Sequence, residues 1–151
     1  WQAVKEGVID IIATDHAPHL IEEKNRLYSA APSGLPLVQH ALPALFDLCQ
    51  RGVFSPEQIV AKTSHAVVER FEIKERGYIR EGYWADLVLI NPQAVLKVQQ
   101  EQLLYKCGWS PFEGKPLQGS VVMTFVNGHI VWRDGAIIPS SAGMPLEFNR
   151  G

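Results

Sequence analysis

Residues 8–19 read VIDIIATDHAPH, and this stretch decides the expected fold. Its first half, residues 8–13, is a nearly continuous run of apolar and β-branched residues, which predicts a parallel strand buried on both faces. Its second half turns polar where a βα unit places its loop, and it carries Asp15, His16 and His19. Because the loops after the strands of a parallel α/β barrel converge on one mouth, these side chains are candidate functional groups.

Asp15, His16 and His19 form the only close cluster of candidate metal ligands or acid–base groups in the sequence. A carboxylate beside a divalent metal can ligate it and also accept a proton from metal-bound water, whose pKa falls to about 7. His19 follows a proline and could donate to a substrate carboxylate. A plain alternative stays open, since Asp, His and Pro are all common in turns. No HxH or HExxH motif is present, so a complete site needs ligands from elsewhere.

Helical patterns follow this loop. Residues 35–52 repeat apolar side chains at three- and four-residue spacing, and Pro43 within them predicts a kink or a start displaced by one turn. The sequence Ser-Pro-Glu-Gln at 55–58 is a capping box that starts a helix ending near Lys62. Residues 64–71 are expected to form a further helix with their first serine as its cap.

From Gly77 the period of the apolar residues changes to two, which predicts strands at 78–79, 86–90, 120–126 and 129–133. Pro92 is expected to end the second of them. Asn127-Gly128 is the two-residue loop that a type I′ hairpin requires, because both of its residues need a positive φ. We therefore expect a boundary near Arg76 between two units, a helix-rich unit of residues 1–76 and a strand-rich unit of residues 77–151.

The composition excludes several classes of protein. The 151 residues are 46% hydrophobic and 20% charged, which argues against disorder and coiled coil. A net charge of −2 without a long basic stretch argues against a nucleic-acid or membrane partner. Cys49 and Cys107 form no CxxC pair, so free thiols in a cytoplasmic protein are expected. The chain begins at Trp1 in what reads as the end of a helix, and we expect a fragment.

These motifs resemble those of a known family. Residues 12–19, IATDHAPH, with Ala-Pro-Ser-Gly at 31–34 ahead of a helix, are similar to the signature of dihydroorotases, in the cyclic-amidohydrolase branch of the amidohydrolase superfamily. Residues 77–89, GYIREGYWADLVL, are similar to the strand pair that re-enters the superfamily's small β domain, and residues 110–128 resemble its closing loop and hairpin. The resemblance covers nearly all of this chain, but only the C-terminal part of such an enzyme.

The resemblance implies an α/β fold, the C-terminal end of a (β/α)8 metal-dependent hydrolase barrel followed by strands of a small β-sandwich domain. It implies a cytoplasmic zinc enzyme of pyrimidine biosynthesis that interconverts L-dihydroorotate and N-carbamoyl-L-aspartate. The expected partners are that small molecule, a missing N-terminal barrel portion and a second copy in a homodimer. A related cyclic amidase of the dihydropyrimidinase, hydantoinase or allantoinase type stays open, as does an inactive assembly partner.

The resemblance also implies roles for individual residues. Asp15 matches a metal-site ligand that is the general base, and His19 matches the residue that contacts the substrate's carboxylate. The loop matching 31–34 closes on the substrate ring largely through backbone groups, which makes Ser33 and Gly34 substrate-binding candidates. The other ligands of the family's binuclear zinc site have no counterpart here. The chain by itself is therefore expected to be inactive and to lack a tight zinc site.

The remaining histidines, His40, His65 and His129, are expected to be packed or surface residues rather than ligands. Trp109 and Phe112 could line the mouth of the site, although packing of the closing loop onto the small domain is the favoured interpretation. Neither alternative is decided by the residues alone.

Overall fold

The computed structural model describes residues 1–141 and 143–150. The helices lie in the first half: α1 Gln2–Lys5, α2 Ile21–Lys24, α3 Ala41–Gln50, α4 Pro56–Val60 and α5 Ala66–Phe71, with a π-helical turn Ala61–His65 between the last two. The strands follow: β1 Leu87–Lys97, β2 Pro116–Val126, β3 His129–Arg133 and β4 Ala136–Ile137, with a 3₁₀ turn Gln100–Gln102 after the first. The fold is α/β, with its helices ahead of an antiparallel sheet.

The strand predicted over residues 8–13 does not form. The N–H of Ile12 donates to the carbonyl of Lys62 at 3.0 Å, and the Lys62 ammonium donates to the carbonyl of Ile9 at 2.6 Å. Val8 is 73% exposed. A strand buried on both faces needs neighbouring strands for its hydrogen bonds, and the described residues place no strand beside this segment.

The helix predicted from Leu35 starts later, as Pro43 indicated, but by more than the one turn that was expected. It begins at Ala41, which places Pro43 in the first helical turn, where a missing N–H leaves no intrahelical bond unmade. It ends at Gln50, just before Gly52 at φ +71°. A glycine at positive φ just past the last turn is a common helix stop, so both ends follow from local residues.

The capping box at 55–58 is confirmed. The Ser55 hydroxyl accepts the N–H of Gln58 at 3.2 Å, and the Gln58 side chain accepts the N–H of Ser55 at 2.9 Å. The predicted cap at Ser64 is wrong, because the helical backbone continues through the π-helical turn and leaves no new helix start there. The Ser64 hydroxyl donates instead to the carbonyl of Gly77 at 2.9 Å.

The small core lies among the helices. Val4, Phe54 and Ile59 are buried in it, with partly buried side chains of α3 packed against them. The same helix also contacts the sheet, since the Asp47 carboxylate accepts the N–H of Gln118 at 3.0 Å. Helix α3 therefore joins the helical half to the strands. None of the helices in the described ranges is long and apolar enough to span a bilayer.

The four strands form one sheet in the order β1-β2-β3-β4 within the described residues. The Asn127-Gly128 hairpin is confirmed, with φ of +50° and +82°. A second two-residue turn of the same kind, Asp134-Gly135, leads to β4, a strand that was not predicted from the sequence. Two strand expectations are wrong. Residues 78–79 form no strand, and β1 continues past Pro92 because an irregular register between Asn91 and Val95 accommodates the proline.

Candidate active site

The loop that carries Asp15 lies alongside the segment that carries Gly34. His16 and Leu35 form an isolated parallel bridge, and the N–H of Ala17 donates to the carbonyl of Leu35 at 3.0 Å. Asp15 has φ +45°, and its exposed carboxylate has no hydrogen bond or ion pair to any described residue. An unpaired carboxylate at this position is chemically available as a base or as a metal ligand.

His16 fixes the backbone next to Asp15. Its Nδ1 accepts the N–H of Leu37 at 3.0 Å and that of Val38 at 3.3 Å. These bonds occupy Nδ1 as an acceptor and so assign the proton of the neutral ring to Nε2. The sequence placed His16 in the functional cluster without a role. Its contacts lie more than twenty residues away, and no local pattern could have indicated them.

His19 lies at the end of the loop with its imidazole partly exposed. Its Nδ1 is 3.8 Å from a carboxylate oxygen of Glu23, and 39% of its side chain is accessible. Its own N–H donates to the carbonyl of Ala17 at 2.9 Å. Its carbonyl accepts the indole Nε1–H of Trp109 at 2.8 Å. The side chain can therefore reach a ligand, while the backbone beneath it is held from two directions.

The two candidate substrate loops touch at Gly34. This residue has φ +92°, and a Cβ atom added to it would lie 2.4 Å from the Cβ of Ala17. Only glycine allows both the backbone conformation and the approach. Lys24 holds the same loop, because its ammonium donates to the carbonyls of Pro32 at 2.6 Å and of Gly34 at 3.0 Å. The side chain of Ser33 is exposed.

A buried polar cluster lies behind these loops. His40 is 3% exposed, and its Nδ1 lies 3.4 Å from both the Tyr105 hydroxyl and the Ser110 hydroxyl. Burial lowers the pKa of His40 and raises the pKa of Tyr105. The Tyr105 hydroxyl also accepts the N–H of Gln39 at 2.9 Å. His40 is a packed residue, one of the two placements expected from the sequence.

An open cleft of about 490 Å³ lies between the Asp15 loop and the segment before β2. Its lining is mostly apolar and consists of His16, Pro18, Val38, Gln39, Leu104, Tyr105, Lys106 and Cys107. The rings of His16 and Tyr105, which both line the cleft, have their centroids 5.4 Å apart. His16 and Pro18 of the loop that bears the candidate base line this space, which is large enough for a small molecule. The candidate residues Asp15, His19, Ser33 and Gly34 do not line it.

The described residues of this chain supply one candidate ligand of a metal site. The described part of the chain has no group of three His, Cys, Asp or Glu side chains that could hold a metal ion. Asp15 offers a carboxylate of the kind that zinc accepts. Within the described residues the donor set is therefore partial.

The chain belongs to the amidohydrolase family, whose model matches residues 1–131. It is 37% identical over 133 residues to the dihydroorotase of Endomicrobium trichonymphae, covering 87% of this chain and 32% of that protein. It is 40% identical over 133 residues to the dihydroorotase of Clostridium acetobutylicum, covering 87% and 31%. The D-hydantoinase (dihydropyrimidinase) from Thermus sp. superposes with a TM-score of 0.86 at 26% identity, over 94% of this chain and 32% of that one. The chain spans about a third of the length of these proteins.

Proposed function

We propose that this chain is the C-terminal part of a zinc-dependent dihydroorotase, which interconverts L-dihydroorotate and N-carbamoyl-L-aspartate in pyrimidine biosynthesis. The observation that carries the proposal is the unpaired Asp15 carboxylate beside the substrate loop packed through Gly34. The relatives at 37% and 40% identity are named dihydroorotase, which supports this substrate over others.

In this proposal residues 1–76 complete a (β/α)8 barrel, and residues 77–151 supply strands of a small β-sandwich domain. The exposed apolar side chains of Val8 and Ile9, 73% and 44% accessible, would then pack against barrel strands from an N-terminal portion. Burial of such side chains on both faces is what a parallel barrel strand requires. The intact protein would be a cytoplasmic homodimer.

Asp15 is the residue of this chain that would hold zinc, with the remaining ligands supplied by the N-terminal portion. When bound, zinc would lower the pKa of water at the site to about 7. Asp15 acts as the general base. Its carboxylate takes a proton from the water as that water attacks the ring carbonyl carbon. It then delivers the proton to the amide nitrogen as the C–N bond breaks and the ring opens.

Two further groups bind the substrate. The partly exposed imidazole of His19 donates to the substrate's carboxylate, a charge-assisted contact that neutral cyclic amides cannot provide. The loop with Ser33 and Gly34 contacts the ring through its backbone groups, since Gly34 has no side chain to hold a ligand away. Together these residues select an acidic cyclic amide.

The proposal is tested by assaying the zinc-loaded full-length protein on L-dihydroorotate, dihydrouracil and allantoin. We expect L-dihydroorotate to be the preferred substrate. Faster turnover of dihydrouracil would favour a dihydropyrimidinase, the alternative supported by the structural likeness to a hydantoinase. Turnover of none of the three would favour an inactive assembly partner. The isolated 151-residue chain should be inactive and bind no stoichiometric zinc.

A further inference from the structure

We propose that Trp109 is a positioning residue that aims the His19 side chain at the substrate's carboxylate, an inference that rests on the function proposed above. Its indole Nε1–H donates to the His19 carbonyl at 2.8 Å, across 90 positions of sequence. Trp109 belongs to the segment between β1 and β2, outside the helical half that carries the candidate site. The sheet region would thus set the geometry of substrate recognition.

The His19 imidazole has little else to orient it. Its Nδ1 is 3.8 Å from the Glu23 carboxylate, which is too long for a hydrogen bond, and the described residues offer it no closer polar partner. Its direction therefore depends on the backbone from which it projects. That backbone turns sharply, with the His19 N–H bonded to the carbonyl of Ala17, and the Trp109 bond fixes the peptide plane that follows.

The backbone around Trp109 is itself held in place by a tight turn and by buried side chains. The Gly108 N–H donates to the Tyr105 carbonyl at 3.0 Å, which forms the tight turn that presents the indole. Cys107, two positions before Trp109, and Ser110, directly after it, are both buried. Tyr105 is anchored to the turn before α3, because its hydroxyl accepts the N–H of Gln39. An anchor built on buried neighbours can hold a loop, whereas a freely moving indole could not.

The test compares W109F with W132F in the zinc-loaded full-length protein. W109F removes the indole donor and keeps an aromatic ring, whereas the half-buried Trp132 of β3 makes no hydrogen bond through its indole within the described residues. We expect W109F to raise KM for L-dihydroorotate roughly two- to tenfold, the worth of one hydrogen bond. Its kcat should stay within about twofold of the wild-type value. The substrate's carboxylate is distant from the reacting amide bond, so it is bound equally in the ground state and the transition state. W132F should change neither value.

A merely structural role for Trp109 would lower the apparent kcat through loss of folded enzyme and leave KM unchanged, and that result would overturn the proposal. A double-mutant cycle sharpens the test. In an H19A background the His19 carbonyl remains but the imidazole is gone, so W109F should have almost no further effect on KM. Additive effects of the two substitutions would also overturn the proposal.

Hydrogen exchange separates failure of this proposal from failure of the proposed function. W109F should speed exchange of the Ala17 and His19 amides, whereas W132F should not, and neither measurement requires a substrate. If W109F leaves the exchange rates of these two amides unchanged, Trp109 does not anchor the His19 backbone, whichever substrate the enzyme acts on. Faster exchange together with preferred turnover of another cyclic amide would leave the anchor standing and refute dihydroorotate as the substrate.

Discussion

Different kinds of contact organise the two regions of the molecule. One region is the helical half with its candidate site, and the other is the sheet region. In the sheet, two-residue turns at Asn127-Gly128 and Asp134-Gly135 bring β2, β3 and β4 into register directly, whereas β1 pairs with β2 across a long connection. The site loop depends on partners far away in sequence, such as the Lys62 carbonyl for Ile12 and the Trp109 indole for His19. Local turns therefore set the pairing of β2, β3 and β4, whereas contacts distant in sequence position the loop of the candidate site.

The largest expected effect comes from comparing substitutions at two aspartates with positive φ, one in each region. Asp15 and Asp134 have φ of +45° and +47°, and both are exposed. Asn tolerates this conformation at least as well, so neither D15N nor D134N should disturb the backbone. In the full-length enzyme, D15N should lower kcat by roughly 10²–10⁴-fold, the usual contribution of a general base. D134N should leave kcat unchanged. Near-normal turnover in D15N with zinc retained would remove the assigned role.

The next effect contrasts two histidines. H19A should raise KM for L-dihydroorotate roughly 10- to 150-fold, which corresponds to about 1.5–3 kcal/mol for a hydrogen bond to a charged group. H129A, at an exposed position after the hairpin turn, should leave KM unchanged. Zinc content measured on both variants provides the check. If H19A lost zinc and kept its affinity for substrate, His19 would be a ligand rather than a substrate-binding residue.

A smaller effect contrasts two glycines at positive φ. Alanine at either Gly34 or Gly128 suffers the strain of a left-handed conformation, about 1–2 kcal/mol. At Gly34 the new Cβ would also lie 2.4 Å from the Cβ of Ala17, whereas at Gly128 it meets nothing within 4 Å. G34A should therefore lower the free energy of unfolding by about 1–3 kcal/mol more than G128A, the usual cost of overpacking. Equal losses in denaturant titrations would show that the two loops do not pack in solution.

The same contrast explains how far the sequence predicted the fold. The capping box at 55–58 and the Asn127-Gly128 hairpin were predicted correctly, because each is set by residues a few positions apart. The strand over residues 8–13 was not, because a buried parallel strand exists only when other strands supply its hydrogen bonds. The extension of β1 past Pro92 was missed because its partner, β2, lies beyond a long connection.

For the candidate site, resemblance to a family identified residues that periodicity could not. Asp15, His19, Ser33 and Gly34 were named from their motifs, and their roles stay predictions. The contacts that hold them were not predictable. The approach of Gly34 to Ala17 and the bond from Trp109 to His19 join segments 17 and 90 residues apart, and no local pattern encodes either.

The smallest effect tests the boundary between the two regions, where His40 at the start of α3 packs against Tyr105 and Ser110 of the sheet-side segment. Burial lowers the pKa of His40, so the folded protein takes up its proton only below the ordinary value of 6.5. The unfolded chain protonates near 6.5, and between the two values it binds more protons than the folded chain does. Stability is therefore complete above 6.5 and declines as the pH falls below it.

Urea titrations of the full-length protein from about pH 7.5 to 5.5 span this range on both sides of the ordinary histidine pKa. H40N keeps a polar group near the Nδ1 position and removes the titration, so its midpoint should fall less steeply with acid than that of the wild type. H129N, which removes an exposed histidine, should retain the wild-type slope. Identical slopes in H40N and the wild type would mean that His40 is hydrated in solution. Water would then reach the cluster of His40, Tyr105 and Ser110 between the two regions. Trp109, which lies next to this cluster in the chain, would then have no rigidly packed support from which to hold the site loop.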